Sequence, residues 1–140
     1  MLIGLSPLLS ADLLHALASM GHGDDIVLAD AHFPAAAHAR RLIRLTGIDA
    51  PAVLEAVLSV LPLDTFESPA AWTMQVVGHA TEEPPAVAQF QALLQRHGHA
   101  RAGSLERYAF YERAARAFAV VATGERRTYG NIILKKGVLP

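Results

Sequence analysis

The chain has 140 residues, of which 52% are hydrophobic and 18% are charged. This length suits a single domain, residues 1–140, and the composition excludes a disordered tail protein. Twelve Lys and Arg residues face thirteen Asp and Glu residues, so no basic excess exists to hold a phosphate backbone. We therefore exclude nucleic acid as a partner. The high apolar share predicts that some surface is buried between subunits.

The chain contains no cysteine, which excludes disulfides, thiolate metal sites and cysteine nucleophiles. The apolar residues 1–9 are preceded by no Lys or Arg, and Ser6, Pro7 and Ser10 are typical of a turn and a helix cap rather than of a signal peptide. No apolar run approaches the ~20 residues of a membrane span. These features predict a cytoplasmic protein without membrane contact.

The first half of the chain alternates between helical and strand patterns. In chain order, the predicted elements are a helix from Ser10 to Gly21, a strand at 25–29, a loop at 31–37, a strand at 41–45 and a helix from Asp49 to Pro62. Ser10 and Asp49 are typical N-cap residues. Glycine just past a helix and proline after it are typical of helix ends.

The second half continues the same alternation. The predicted elements are a strand at 72–77, a polar helix from about 82 to 98, a strand at 107–110, a short helix at 111–116, and strands at 118–122 and 132–134. Strands and helices that alternate at these lengths predict an α/β fold with helices on the faces of the sheet.

The first candidate functional cluster surrounds a predicted buried strand. His22 lies between two glycines, which leave its ring uncrowded, and Asp30 follows the carboxyl end of the strand. Ligands of α/β sheets bind at that end, so two polar groups flanking one short strand could converge on one pocket. The alternative is structural: His22 caps the preceding helix and Asp30 caps the following loop.

The same segment also contains residue types that bind metals, namely His22, Asp24, Asp30 and His32. Their spacing does not match a helical histidine pair of the HExxH kind. We therefore predict no metal site.

The second and third clusters carry groups suited to a sugar. Arg107 offers five fixed donors that match a ring of hydroxyls, and alternation in the predicted strand separates it from Tyr108. Residues 129–131, Tyr-Gly-Asn, combine a stacking face, close backbone approach and an amide. The alternatives are a surface arginine paired with Glu106 or Glu112, and an ordinary turn before the last strand.

Five segments together resemble one family. They are Met20-Gly-His-Gly-Asp-Asp25, Asp30-Ala-His-Phe-Pro34, Phe110-Tyr-Glu-Arg-Ala114, Thr123-Gly-Glu-Arg126 and Tyr129-Gly-Asn-Ile-Ile-Leu-Lys-Lys-Gly137. In this order they are similar to the signature segments of the ribose pyranase/fucose mutarotase family, in its fucose mutarotase branch. The resemblance covers essentially the whole chain; it rests on no motif between residues 78 and 105, so it implies no site residue there.

The resemblance implies a three-layer α/β/α fold around a mixed sheet. It also implies a ring-shaped homo-oligomer, a decamer in bacterial members, with sugar pockets near the subunit contacts. By residue match, the catalytic positions are His22, as general acid/base, and Tyr111, and the sugar-binding positions are Asp30, Arg107, Tyr129, Gly130, Asn131 and Asp64. Tyr111 and Asp64 match more loosely than the others.

The activity that the resemblance implies is interconversion of the α and β anomers of L-fucose, or of related aldoses, without a cofactor. Histidine suits this reaction because it gives and takes protons near neutral pH. Three alternatives remain open at this point. They are a D-ribose pyranase that interconverts pyranose and furanose forms, a sugar-binding module without catalysis, and a metal-dependent hydrolase.

Overall fold

The computed structural model describes residues 1–140, which form five helices and six strands. The helices are α1 (Ala11–Ser19), α2 (Ala35–His38), α3 (Ala50–Leu58), α4 (Pro85–Arg96) and α5 (Arg107–Arg116). The strands are β1 (Asp25–Ala29), β2 (Leu42–Leu45), β3 (Ala71–Met74), β4 (Gly103–Leu105), β5 (Ala119–Thr123) and β6 (Ile132–Lys135). None of the helices combines the length and hydropathy needed to cross a membrane.

Side-chain caps begin α1 and α3 as the sequence predicts. The Ser10 hydroxyl accepts a hydrogen bond from the backbone N–H of Leu13 at 3.2 Å. The Asp49 carboxylate accepts from the N–H of Ala52 at 2.9 Å, and proline occupies the first turn of α3. Each cap satisfies an N–H group that has no partner inside its helix, which fixes where the helix begins.

All six strands form one mixed sheet in the order β2-β5-β1-β6-β3-β4. The β2–β5, β5–β1 and β3–β4 pairs are parallel, whereas β6 runs antiparallel to β1 and β3. The start of β6 therefore lies beside the carboxyl end of β1, with Ile132 opposite Leu28. This reversal brings the residues that precede β6 next to those that follow β1.

The sheet buries a core on each face. Along β1, Ile26 and Leu28 belong to the larger core under α1, α3 and α4, while Val27 and Ala29 belong to the smaller core under α2 and α5. Side chains alternate across a strand, so a strand covered on both faces is apolar throughout. The predicted three-layer α/β/α fold with a mixed sheet is confirmed.

The predicted strand at 107–110 is wrong, because these residues begin α5. The Glu106 carboxylate accepts hydrogen bonds from the N–H groups of Tyr108 and Ala109, which caps a helix at this point. Phe110 and Ala114 are both buried, while Tyr108 and Glu112, which would share their face in a strand, are exposed, so the burial follows the helical period. Arg107 and Tyr108 are therefore consecutive residues of a helix and do not lie on opposite faces of a strand.

Smaller differences concern the loops. The predicted loop at 31–37 contains the start of the short helix α2, and strand β3 ends at Met74 rather than at residue 77. The three-residue strand β4 was not predicted. It is short and only partly buried, so it lacks the apolar run that marks the inner strands.

Candidate active site

Polar residues from both ends of the chain meet at one edge of the sheet. Asp30 directly follows β1, and Asn131 directly precedes β6. Because β6 runs antiparallel to β1, these two residues are neighbours, and the N–H of Asp30 donates to the amide oxygen of Asn131 at 2.8 Å. The reversed strand thus joins the first and third predicted clusters.

The carboxylate of Asp30 connects the loop after β1 to the loop before β6 by hydrogen bonds. One oxygen of its carboxylate accepts from the N–H of His32 at 2.9 Å, and the other accepts from the N–H of Gly130 at 3.1 Å. The residue is 4% exposed. Burial raises the pKa of Asp30 above its usual value, although the backbone N–H groups of His32 and Gly130 oppose that shift.

The loop before β6 is tightly packed and strained. Tyr129 has a φ of 60°, a left-handed conformation that costs about 1–3 kcal/mol and is found most often at ligand sites. Its hydroxyl oxygen accepts from the N–H of Val77 at 3.2 Å. A Cβ atom on Gly130 would lie 2.6 Å from Cγ of Glu125, so only glycine fits there. The sequence predicts that another group comes close to the backbone at Gly130. In the structure, these groups are the side chains of Asp30 and Glu125.

Two side chains of α5 reach the same region. Arg107 donates to the Tyr108 hydroxyl at 2.9 Å, and its Nε atom is buried without a hydrogen-bond partner. An unpaired buried donor costs free energy unless a ligand or water accepts from it. The Tyr111 ring stacks on His38 and meets Phe33 edge-on, with ring centroids 5.3 and 5.5 Å apart.

These groups surround a cavity of about 230 Å³. Its lining residues are Asp30, His32, Phe33, Met74, Arg107, Tyr111, Thr128, Tyr129 and Asn131. Apolar walls with a few convergent polar groups are typical of small-molecule sites. Of the predicted site residues, the structure brings Asp30, Arg107, Tyr111, Tyr129 and Asn131 together, with Gly130 bonded to Asp30 beside them.

His22 and Asp64 form a separate pair at the opposite end of the sheet. The Nε2 atom of His22 lies 3.2 Å from a carboxylate oxygen of Asp64, whose side chain is 1% exposed, whereas that of His22 is 45% exposed. Asp64 also accepts from the N–H of Phe66 and lies 3.4 Å from Nζ of Lys135. The Phe66 N–H, with smaller effects of His22 and Lys135, lowers the pKa of Asp64 against the opposing effect of burial.

The expectation that His22 and Asp30 converge on one pocket is wrong within a single chain. The five residues of strand β1 lie between them, and an extended strand rises about 3.3 Å per residue, so the four steps from Asp25 to Ala29 alone span about 13 Å. His22 and Asp64 accordingly do not line the cavity that contains Asp30. One chain therefore presents two separate clusters of polar residues, which we name the pocket (the cavity with Asp30) and the dyad (His22 and Asp64).

Glu125 is a buried anion beneath the pocket that the sequence did not single out. It is 3% exposed, and its carboxylate accepts three hydrogen bonds of 2.9–3.0 Å from the backbone and guanidinium of Arg127. Its carbonyl oxygen also accepts from the N–H of Ala31 at 2.8 Å. Glu125 thus braces both loops of the pocket. The sequence signal was an acid and an arginine two residues apart directly after a strand.

We expect the free energy of unfolding to depend on pH through the carboxylate of Glu125. The Arg127 guanidinium lowers the pKa of Glu125 from 4.5 to about 2 in the folded chain. Between these values the unfolded chain binds more protons, so the stabilisation is fully present above about pH 4.5 and is lost as the pH falls toward 2. Urea midpoints at pH 3 and pH 7 should differ less in Glu125→Gln than in wild type.

Glu112→Gln is the matched control, because Glu112 forms an exposed pair with Arg116 and exposed pairs contribute little. It should keep the wild-type pH dependence. An equal pH dependence in wild type and Glu125→Gln would contradict the assignment.

The structure also bears on the metal alternative. No three His, Asp or Glu side chains are grouped so that they could hold a metal ion. His32 instead places its ring nitrogen 3.1 Å from the carbonyl oxygen of Arg126, and His22 is paired with Asp64. The polar groups of the pocket and of the dyad are joined by hydrogen bonds.

The mixed sheet with helices on both faces and the small-molecule pocket beside the carboxyl end of β1 place the chain among the α/β proteins. The family described as the RbsD / FucU transport protein family matches residues 3–139. The chain belongs to this family. A fucose mutarotase of Homo sapiens is 52% identical to it over 144 residues, which cover 97% of this chain and 93% of the human protein.

Solved structures agree with this assignment. A fucose mutarotase from Streptococcus pneumoniae in complex with L-fucose has a TM-score of 0.94 and 41% sequence identity, and the match covers 99% of this chain and all of that one. RbsD of Bacillus subtilis, complexed with D-ribose, has a TM-score of 0.78 at 23% identity and covers both chains fully. The second likeness concerns the fold alone.

Proposed function

We propose that the protein is a sugar mutarotase that interconverts the α and β anomers of L-fucose. The observation that carries this proposal is the pocket, whose unpaired Arg107 donor, strained Tyr129 and buried Asn131 suit a small polyhydroxylated ligand. Support comes from the near-identical fold of a relative that was solved with L-fucose and from the fucose mutarotases that resemble the chain along its length. The reaction needs no cofactor.

The reaction passes through the open-chain aldehyde. A base removes the proton of the anomeric hydroxyl while an acid protonates the ring oxygen, and the bond between the anomeric carbon and the ring oxygen breaks. After rotation the ring closes on the other face of the carbonyl, and the two groups exchange roles. One positioned acid or base typically contributes ~10²–10⁴ in rate. His22 and Tyr111 carry these protons, while Asp30, Arg107 and Asn131 hold the sugar in place.

Asp64 acts through His22. A carboxylate that accepts Nε2–H fixes the tautomer of the ring and leaves Nδ1 free to exchange a proton. Asp64 is nearly inaccessible to solvent, whereas the His22 ring is about half exposed. This arrangement favours a positioning role for Asp64 over the sugar contact that the resemblance implies.

The dyad and the pocket are the two half-sites of one active site. They meet when the dyad of one subunit faces the pocket of another. Exposed apolar side chains flank both half-sites: Phe66 lies beside His22, with ring centroids 5.3 Å apart, and Val77 and Tyr108 lie beside Arg107. They are 73%, 53% and 65% exposed, respectively. Exposed apolar patches with polar surroundings are typical of protein interfaces. A subunit contact that covers these patches would bring His22 to the sugar.

A ring-shaped homo-oligomer, with the decamer as the expected size, provides such contacts repeatedly. Light scattering at micromolar concentration should therefore give a mass several times the 15.0 kDa of one chain. Phe66→Asp should reduce that mass, while Ile3→Asp, which changes an exposed apolar residue before the start of α1, should not. A monomeric wild-type protein would contradict the shared site.

We place the protein in the cytoplasm on the basis of the sequence and its resemblance.

Saturation-transfer NMR on sugar solutions tests the activity. The protein should accelerate exchange between the α and β resonances of L-fucose more than exchange in D-ribose or D-galactose, and chelator should leave the rate unchanged. Faster pyranose–furanose exchange of D-ribose would favour the pyranase alternative. Sugar binding without faster exchange would identify a binding module, and loss of activity with chelator that zinc restores would favour a metal enzyme.

A further inference from the structure

One polar side chain of the pocket has no part in the function proposed above. His32 lines the cavity, and its backbone N–H is fixed by Asp30 at 2.9 Å. The next residue, Phe33, is buried in the smaller core, so the backbone at His32 is held from both sides. The imidazole therefore projects from a fixed point of the pocket wall.

The hydrogen bond of the His32 ring determines its tautomer. Its Nε2 atom lies 3.1 Å from the carbonyl oxygen of Arg126. A carbonyl oxygen only accepts, so Nε2 carries the hydrogen, and Nδ1 of the neutral ring is an acceptor. No hydrogen bond within the chain uses Nδ1.

Nδ1 adds an acceptor to a pocket whose other acceptors are partly occupied. Each carboxylate oxygen of Asp30 already accepts one backbone N–H group, and the amide oxygen of Asn131 accepts the N–H of Asp30. The buried Nε of Arg107 is a donor without a partner, so it can serve a sugar oxygen but not a hydroxyl hydrogen. Each sugar hydroxyl both donates and accepts, so a bound sugar needs an acceptor for its hydroxyl hydrogens.

We propose that Nδ1 of His32 accepts a hydrogen bond from a hydroxyl of the bound monosaccharide and so helps to select it. This inference rests on the proposed function, because it concerns the substrate of the same pocket. His32 acts in binding and does not transfer the reaction's protons. Its removal should therefore change the apparent KM and leave kcat almost unchanged.

Three substitutions separate the two ring nitrogens. The amide of His32→Asn can place an acceptor near the position of Nδ1, that of His32→Gln reaches the position of Nε2, and His32→Ala removes both. We expect His32→Ala and His32→Gln to raise the apparent KM for L-fucose by ~3–10-fold, the effect of one lost hydrogen bond. His32→Asn should stay within about two-fold of wild type.

Kinetics come from saturation-transfer NMR at several L-fucose concentrations, and melting temperatures are measured on the same samples. A wild-type KM in His32→Ala would overturn the proposal. So would a His32→Asn variant that loses as much as His32→Ala, or equal losses of kcat and melting temperature in all three variants, which would indicate a structural role. If wild type exchanged no anomers, the proposed function would fail, while calorimetric titration of L-fucose into the same proteins would still decide the contact of His32.

Discussion

Replacing His22 with alanine should slow L-fucose anomer exchange by ~10²–10⁴-fold without unfolding the protein. The substitution removes the proton carrier and leaves the pocket intact, because His22 contacts Asp64 and Phe66 and lies at the other end of β1 from Asp30. The apparent KM should change little. Exchange is measured per folded oligomer, with circular dichroism and light scattering on the same samples.

His15→Ala is the matched control, since His15 is an exposed residue of α1 remote from both half-sites. It should exchange anomers at the wild-type rate. A His22→Ala variant that is folded, assembled and as active as wild type would show that another group, such as Tyr111, carries the proton. An activity that falls only in proportion to lost fold or assembly would assign His22 a structural role.

Replacing Asp30 with alanine should weaken both sugar binding and the fold. The substitution leaves the N–H groups of His32 and Gly130 without their acceptors, and each buried unpaired group costs roughly 1–3 kcal/mol. The loop of Tyr129 and Asn131 is then no longer fastened to β1, so the apparent KM should rise together with a loss of kcat. Urea unfolding and saturation-transfer NMR measure the two effects.

Asp30→Asn keeps the shape of the side chain but turns one acceptor into a donor, so its losses should lie between those of wild type and Asp30→Ala. Arg107→Ala should impair sugar binding similarly, with less effect on stability because Arg107 is only partly buried. Wild-type stability in Asp30→Ala would contradict the fastening role of the carboxylate.

The inner sheet could be predicted because its residues obey local rules. Strands β1, β5 and β6 are short apolar runs, and the caps at Ser10 and Asp49 come from residues adjacent to the helices that they begin. The prediction of a strand at 107–110 was wrong because so short a segment fits both the helical period and the strand period. The exposure of Tyr108 and Glu112 beside the buried Phe110 and Ala114, together with the cap at Glu106, decides for a helix.

The sequence identified several residues of the pocket but did not predict how they are arranged in space. Asp30 and residues 129–131 were singled out by residue type and position, yet their contact depends on β6 running antiparallel to β1, which local patterns do not encode. The separation of His22 from Asp30 follows from the straight path of β1. Glu125 was missed because the sequence does not show that its pair with Arg127 is buried or that its carbonyl oxygen accepts from the distant Ala31.

We expect each mutarotase site to be assembled from the dyad of one subunit and the pocket of another. Co-expression of His22→Ala and Arg107→Ala subunits tests it most directly, because each variant alone lacks one half of every site. In randomly mixed rings, about a quarter of the contacts pair an intact dyad with an intact pocket. These rings should regain about that fraction of wild-type L-fucose exchange. Mixed rings that are no more active than the two separate variants would contradict it.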